Sequence, residues 1–302
     1  MKIKTMNISD LKHRINSHNY FFRPWSRILP DKIYLKLVCR QYLGYWINLK
    51  DPKTFNEKLQ WLKLYGHKEK YVTMADKYLV KQYVANIIGD YYVVPCLGVW
   101  DNAKDIDFDQ LPDKFVLKCN HNSGRGMCIC KDKSKLDVSH VRSELDKYIH
   151  QGYFFDGRDK QYRDINRKII ADQFLDDHRS GELQDYKFWC FDGEPKFMYM
   201  TNKGKYIYEN FYDMDFNPVA IEHGSPRMTP EYNKPNEFDE MKELAAILSK
   251  GMPFVRVDFF DIEGHVYFGE FTFFDWGGLK AFKSYDMDLE LGQYIHLPIE
   301  QK

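Results

Sequence analysis

The chain carries no surplus of either charge, since Lys+Arg and Asp+Glu number 44 each over 302 residues. A nucleic-acid binder depends on a basic excess to neutralise phosphates, so the balance argues against nucleic acid as a partner. Long apolar runs are also missing: no window approaches the roughly 18 to 20 residues that cross a bilayer. Polar and charged residues follow Met1-Lys-Ile-Lys-Thr5, where a secretory signal would carry its apolar core, which predicts a cytoplasmic protein. Paired cysteines are absent, because Cys39, Cys96, Cys119, Cys128, Cys130 and Cys190 are scattered without the two-residue spacing of a zinc site. A chain of this length can bury a core without disulfide staples, so these read as buried free thiols in a reducing compartment. Repeats and low-complexity segments are lacking too.

The most informative stretch runs from Phe254 to Phe274, where alternation reads as two strands around a turn at Glu263-Gly264. Period-2 geometry puts Arg256 and Asp258 on one face of the first strand, and Glu270 and Thr272 on one face of the second. A cation, two carboxylates and a hydroxyl beside a sheet suit a divalent metal held against phosphate oxygens. The same pattern also fits a plain hairpin whose charged face looks at water.

Elsewhere the chain divides by texture. Asp31 to Leu49 has a helical rhythm with basic residues, which fits either packing on the body or resting on an anionic membrane surface. Thr54-Phe-Asn-Glu57 has the form of a capping box, predicting a helix over Asn56 to Tyr65, and a second helix is expected from Met74 to Ile88, ended by Gly89. Beyond Tyr91 short β-like runs dominate: Tyr91 to Val94, Phe115 to Cys119, Met127 to Cys130, Ile169 to Leu175, Tyr186 to Phe191 and Phe197 to Thr201. Helical patterns interrupt them at Ser139 to Gln151 and Glu237 to Lys250. The mixture predicts an α+β fold with mostly antiparallel pairing in its second half. His223 to Pro235, rich in Gly, Ser and Pro, reads as a mobile surface loop.

A second constellation lies at Lys118, which ends a strand before Asn120 to Gly126, small and polar residues whose amides can close over an anion. No Gly-Lys-Ser/Thr opens a helix here, so the segment is not a Walker A loop. A β-turn beside an incidental Lys would look the same.

The order of these parts, with Ala75-Asp-Lys-Tyr78, Lys118-Cys-Asn-His-Asn-Ser-Gly124, Asp172-Gln-Phe-Leu175, Asp185-Tyr-Lys-Phe188, Arg256-Val-Asp258 and Glu270-Phe-Thr-Phe273, resembles the ATP-grasp superfamily. Thr54 to Leu64 and Cys190-Phe-Asp-Gly193 extend the likeness to its TupA-like branch, associated with surface-polysaccharide biosynthesis. The resemblance covers about residues 50 to 290 and implies two α+β subdomains that sandwich ATP, behind an N-terminal helical region. It divides the chain into residues 1–70 (helical region), 71–112 (a preceding segment), 113–180 (nucleotide lid) and 181–302 (metal and catalytic part). Lys77 and Lys118 are then phosphate ligands, with Ser123, Gly124 and Gly126 in a lid over them. Gln173, Phe174 and Leu175 would border adenine, and Asp185 a ribose hydroxyl. Asp258 and Glu270 would hold Mg2+, Arg256 would stabilise the transferred phosphoryl group, and Lys187 would face either phosphates or substrate. Gly277 and Gly278 would aim amides at a reacting carboxylate. Thr272 departs from the pattern, standing where many members place a metal-binding Asn.

The chemistry implied is carboxylate-amine ligation through an acylphosphate, with a uronic acid or other carboxylate-bearing glycan as one partner and an amino acid or amino sugar as the other. Residues 31–49 would offer a peripheral contact at the inner face of the membrane. A sugar or glycan kinase could use the same fold. A glycosyltransferase is suggested by Asp-x-Asp at Asp105/Asp107, Asp107/Asp109, Asp213/Asp215 and Asp286/Asp288, too many in an Asp-rich chain for any one to inform. A non-catalytic nucleotide-binding scaffold is the fourth reading, opposed by the clustering of two carboxylates that ATP sensing alone does not need.

Overall fold

Thr54 starts the first long segment of core as the sequence predicts. Its hydroxyl accepts the Glu57 N–H at 3.1 Å while the Glu57 carboxylate accepts the Thr54 N–H at 3.2 Å, a reciprocal cap on the helix Phe55–Tyr65. The computed structural model describes residues 24–177, 183–201, 207–229 and 231–298. In chain order its α-helices used below are α1 (Asp31–Tyr42), α2 (Phe55–Tyr65), α3 (Lys70–Ala75), α4 (Leu79–Ile88), α5 (Val138–Ile149), α6 (Phe238–Ser249) and α7 (Tyr285–Gly292).

A four-stranded antiparallel sheet has the order β1-β4-β2-β3, with β1 Cys96–Trp100, β2 Phe115–Cys119, β3 Met127–Cys130 and β4 Ile169–Gln173. A six-stranded sheet has the order β10-β9-β5-β6-β7-β8, with β5 Asp185–Phe191, β6 Glu194–Thr201, β7 Glu209–Tyr212, β8 Pro218–Val219, β9 Phe254–Ile262 and β10 His265–Thr272. The β9–β10 turn falls at Glu263 and Gly264, both at positive φ (55° and 91°), as a tight two-residue hairpin requires.

The chain forms two compact units. One comprises the described residues up to His67, Gln184–Phe259 and those from Phe271 onward; the other comprises Lys68–Leu183 and Phe260–Glu270. The first has an aromatic core in which Phe55 stacks on Trp189 (centroids 5.0 Å) and meets Phe254 and Phe282 edge-on. Here α6 covers β5 and β6, with Phe238 against Phe188. In the second unit α5 lays Val141, Leu145 and Ile149 on β2, closing a core with Phe115, Leu117 and Ile169.

Four expectations need correction. The helix expected over Met74 to Ile88 is two helices, α3 and α4, because the Asp76 carboxylate captures the N–H groups of Tyr78 and Leu79 (2.8 and 3.3 Å) and breaks the ladder. Tyr91 to Val94 is a 3-10 turn (Asp90–Tyr92) with one bridge, Val93 to Phe268, and the strand comes later at Cys96. The expected mobile loop after His223 is pinned: His223 is buried, Pro226 O accepts the Glu209 N–H at 3.0 Å, and Asn210 exchanges hydrogen bonds with Met228. The strand containing Phe174 and Leu175 also stops earlier, at Gln173. β7 and β8 escaped prediction because all four residues of β7 are buried and β8 has two, so neither shows alternation.

Burial raises the thiols of Cys39 and Cys190 to about 12, and all six cysteines are free; Cys39, Cys119, Cys130 and Cys190 are buried as expected, whereas Cys96 is exposed and Cys128 half-buried, against the reading. Replacing Thr54 by Ala removes the cap and should cost about 1 to 2 kcal/mol of stability, read by urea unfolding, whereas Thr54→Ser should recover most of it.

Candidate active site

In the first unit charges of alternating sign run along β5 and β9. Lys187 Nζ lies 3.2 Å from Asp185 Oδ2 and 3.7 Å from Asp258 Oδ2. Arg256 donates Nε to Asp258 Oδ1 and Nη2 to Asp258 Oδ2, both at 2.7 Å, the bidentate geometry a planar guanidinium favours. Its Nη1 donates to Asp275 Oδ1 and, at 3.2 Å, to Tyr199 OH. Asp275 is fully buried and also accepts from Trp189 Nε1 and Tyr199 OH, each at 3.1 Å. Burial opposes charge on Arg256, but Asp258, Tyr199 and Asp275 outweigh it and hold the guanidinium protonated well above its ordinary range. Burial likewise opposes ionisation of Asp275, and Arg256 first among the charges overrides it, lowering the carboxyl below its usual value. The period-2 reading of Arg256 and Asp258 therefore describes a real side-chain pair.

Farther along the same unit Lys280 Nζ meets Glu209 Oε1 at 2.5 Å and Ser225 Oγ at 3.0 Å, and sits 4.2 Å from the Trp276 ring centroid. Trp276 is itself at φ 48°, an unusual conformation for a bulky residue. Glu209 Oε2, both ring nitrogens of His223 and Trp276 Nε1 are buried without a hydrogen-bond partner. Gly277 and Gly278 are held by their carbonyls, which accept from Gln60 Nε2 at 3.0 and 2.8 Å, and Gly277 O accepts from Lys63 Nζ at 2.8 Å. The Gly277 N–H is donated to Phe274 O at 2.8 Å, so of the two amides expected to face a carboxylate this one already has a partner.

In the second unit the break between α3 and α4 is what places Lys77. Its N–H donates to Asn120 O at 3.1 Å, while Asn120 Nδ2 donates to Asp76 Oδ1 and to Asn166 O, each at 2.9 Å. Burial lowers the Lys77 ammonium pKa, Glu270 counters it, and Lys118 adds to the lowering. Asp172 on β4 joins two lysines, Lys118 at 2.8 Å and Lys81 at 3.0 Å, and Lys81 also donates to Val94 O at 2.7 Å. Lys77, Lys118, Asp172 and Glu270 thus share one electrostatic neighbourhood.

Ser123 and Gly124 are exposed at the tip of the loop between β2 and β3, and its base is fixed by His121 Nε2 at 2.9 Å from Gln151 O and by Asn122 Nδ2 donating to Tyr148 O at 3.1 Å. Gly126, at φ 60°, leaves no room for a side chain: a Cβ would stand 2.7 Å from Tyr148 Cβ and 2.8 Å from Cys119 Sγ. Gln173 donates its N–H to Pro95 O at 3.0 Å, and Phe174 lies under the ammonium groups of Lys114 and Lys131 at 5.8 and 5.9 Å. Leu175 follows the strand.

Asp258 belongs to the first unit and Glu270 to the second. Both supply hard carboxylate oxygens, and each such oxygen has two lone pairs, so pairing with Arg256 does not exhaust Asp258 as a ligand. Among the described residues no three His, Cys, Asp or Glu side chains gather into a metal cage. Magnesium needs none, being usually held by one or two carboxylates with phosphate oxygens and water, so each of the two residues has the donor chemistry for it.

The sequence reading missed Lys81, Tyr199, Asp275 and Lys280. Lys81 carried a signal, one helical turn after Lys77; the others depend on contacts across long sequence separations.

The α+β fold has two antiparallel sheets, with Lys77, Lys81 and Lys118 in one unit and the Arg-x-Asp strand in the other. The sequence matches the TupA-like ATPgrasp family over residues 57–296, and the chain belongs to that family. No curated protein matches it. Among solved structures it is similar to the D-alanine-D-alanine ligase of Helicobacter pylori (17% identity, 80% of this chain and 69% of that one, TM-score 0.46). It is also similar to the Bacillus anthracis D-alanine-D-alanine ligase complexed with ATP (15%, 73% and 65%, 0.42) and to the ADP complex of purK, N5-carboxyaminoimidazole ribonucleotide synthetase (11%, 72% and 50%, 0.45). None of these reaches a TM-score of 0.5, and the family assignment stands on the sequence match.

Asp275→Asn leaves the buried Arg256 short of a carboxylate and should destabilise the protein by about 3 to 5 kcal/mol, measured by denaturant unfolding; a loss under about 1 kcal/mol would contradict the pairing. Burial lowers His121 from 6.5 to about 4 and His223 from 6.5 to about 3. A depressed folded pKa gives stability that is complete above the unfolded value and is lost as pH falls toward the folded one. Unfolding free energy should therefore drop between pH 6.5 and about 4, by up to about 1.4 kcal/mol per pH unit for each histidine, and His121→Gln with His223→Gln should flatten that slope.

Proposed function

We propose that this family member is an ATP- and magnesium-dependent carboxylate-amine ligase that forms an amide on a surface polysaccharide or its precursor. The observation that supports the reading is the series Asp185, Lys187, Asp258, Arg256, Asp275, half-buried at its first two members and buried at the other three, in which a metal-competent carboxylate is clamped by a guanidinium that is itself fixed from behind.

In this reading Lys77 and Lys118 bind the phosphates, with Ser123, Gly124 and Gly126 closing over them so that water is kept from a reactive acyl group. Gln173, Phe174 and Leu175 border the base and Asp185 takes a ribose hydroxyl. Asp258 and Glu270 would hold magnesium, whose chemistry is to draw charge off the phosphate oxygens. A substrate carboxylate oxygen attacks the γ-phosphorus and ADP leaves; an amine nitrogen then attacks the acyl carbon, phosphate departs and the amine proton is released. Arg256, held rigid, stabilises charge as the phosphoryl group moves, and rigidity matters because a preorganised cation needs no reorientation at the transition state. Gly277 and Gly278 are assigned by this proposal to the neighbourhood of the acyl oxygen, within the 3-10 turn Asp275–Gly278. Lys187, between Asp185 and Asp258, steadies both. The carboxylate is a uronic acid or other glycan acid, and the amine an amino acid or amino sugar.

Incubation with ATP, magnesium, uronic-acid glycans and a panel of amines should yield a product mass corresponding to amide formation. A phosphorylated glycan formed without any amine would replace the ligase reading with a kinase. Asp258→Asn should abolish magnesium-dependent ATP turnover. Lys118→Ala should weaken ATP binding about tenfold or more while adenosine affinity stays unchanged, by calorimetry, since a point charge acts on phosphate and not on the base.

A further inference from the structure

Helix α1 is amphipathic in an uncommon sense, because its outward arc combines cations with aliphatic side chains and holds no acid. At about 100° per residue, Tyr34, Leu35, Val38 and Cys39 fall on one arc and are fully buried, while Lys32, Ile33, Lys36, Leu37, Arg40 and Gln41 fill the opposite arc. The flanks continue the pattern. Arg27 and Ile28 are exposed just before the helix, and Trp46 and Lys50 are exposed just after it. Ile28 is 84% exposed, Ile33 49% and Trp46 61%, apolar surface that the described residues leave open.

Charge decides what would cover such a face. The chain as a whole is neutral, yet from Arg27 to Lys50 the charged residues are Arg27, Lys32, Lys36, Arg40 and Lys50 against a single acid, Asp31, which lies on the buried side of the helical arc. Cations alone would suit any polyanion. Exposed Ile28, Ile33 and Trp46 interleaved with them suit a surface that is anionic and also admits apolar groups, with Trp placed where an indole prefers the boundary between water and hydrocarbon. The helix is already anchored by its inner arc in the first unit, so docking needs no folding step: α1 packs through Tyr34, Leu35 and Val38 with Leu29, Tyr42, Leu64 and Leu279 around them.

We propose that the outward face of α1, with Arg27, Ile28, Trp46 and Lys50, docks the protein on a membrane surface rich in anionic lipid. The contact is peripheral; no described helix is long and apolar enough to cross a bilayer. It stands independently of which bond the active site makes.

Sedimentation of the full chain with phosphatidylcholine vesicles, with and without phosphatidylglycerol, tests this. Binding is expected to the anionic vesicles alone and to fall with added salt. Lys32→Ala with Arg40→Ala should weaken it about thirtyfold, from roughly 1 kcal/mol per basic residue near such a surface. Ile28→Ser with Ile33→Ser should weaken it at unchanged charge. Both double variants change exposed side chains and should melt with the parent protein. Absence of binding to anionic vesicles at low salt overturns the proposal, as does equal binding by either variant. Binding of duplex DNA without vesicle binding, or self-association abolished by the same variants without vesicle binding, would assign the face to another partner and overturn it as well.

Discussion

The interaction on which the first unit depends is the clamp around Arg256. A guanidinium removed from water is tolerable only with its charge and its donors answered, and here Asp258 takes one edge while Asp275 and Tyr199 take another donor. The aromatic core serves this: Trp189, the largest fully buried side chain among the described residues, stacks on Phe55 and turns its indole N–H to Asp275. Packing and electrostatics therefore share residues, and a fault in either reaches Asp258. Such fixed charges are what the role proposed for Arg256 would draw on, since catalysis of phosphoryl transfer is mostly positioning.

The second unit solves the opposite problem. It carries Lys77, Lys81 and Lys118 and meets them with Asp76, Asp172 and Glu270, so that cations stay close together without a large repulsive penalty. Asp172 bridges two lysines at 2.8 and 3.0 Å. An incoming polyanion would find lysines already gathered, which lowers the ordering cost of binding.

What could be read in advance follows the range of the interactions. The capping box of Thr54 and Glu57, the Glu263-Gly264 hairpin and the Arg256/Asp258 pair involve neighbours within a few residues, and all three are present. The pinned segment after His223 was misread because its Gly, Ser and Pro content says nothing of Asn210, whose amide binds Met228 and Glu231 from a strand with no visible alternation. Asp275 was hidden for the same reason: its partners Trp189, Tyr199 and Arg256 lie 86, 76 and 19 residues away. The family's motif order was legible along the chain, while the side chains that support those motifs were not, because support comes from tertiary contacts that leave no local pattern.

The interruption between α3 and α4 has one more consequence. Position 77 is tied to position 120 through main-chain atoms, an N–H to a carbonyl at 3.1 Å. A backbone tether is indifferent to what the side chain is. A neutral head at position 77 would therefore leave the path of the chain in place, whereas an acidic one would face Glu270, Asp76 and Asp172.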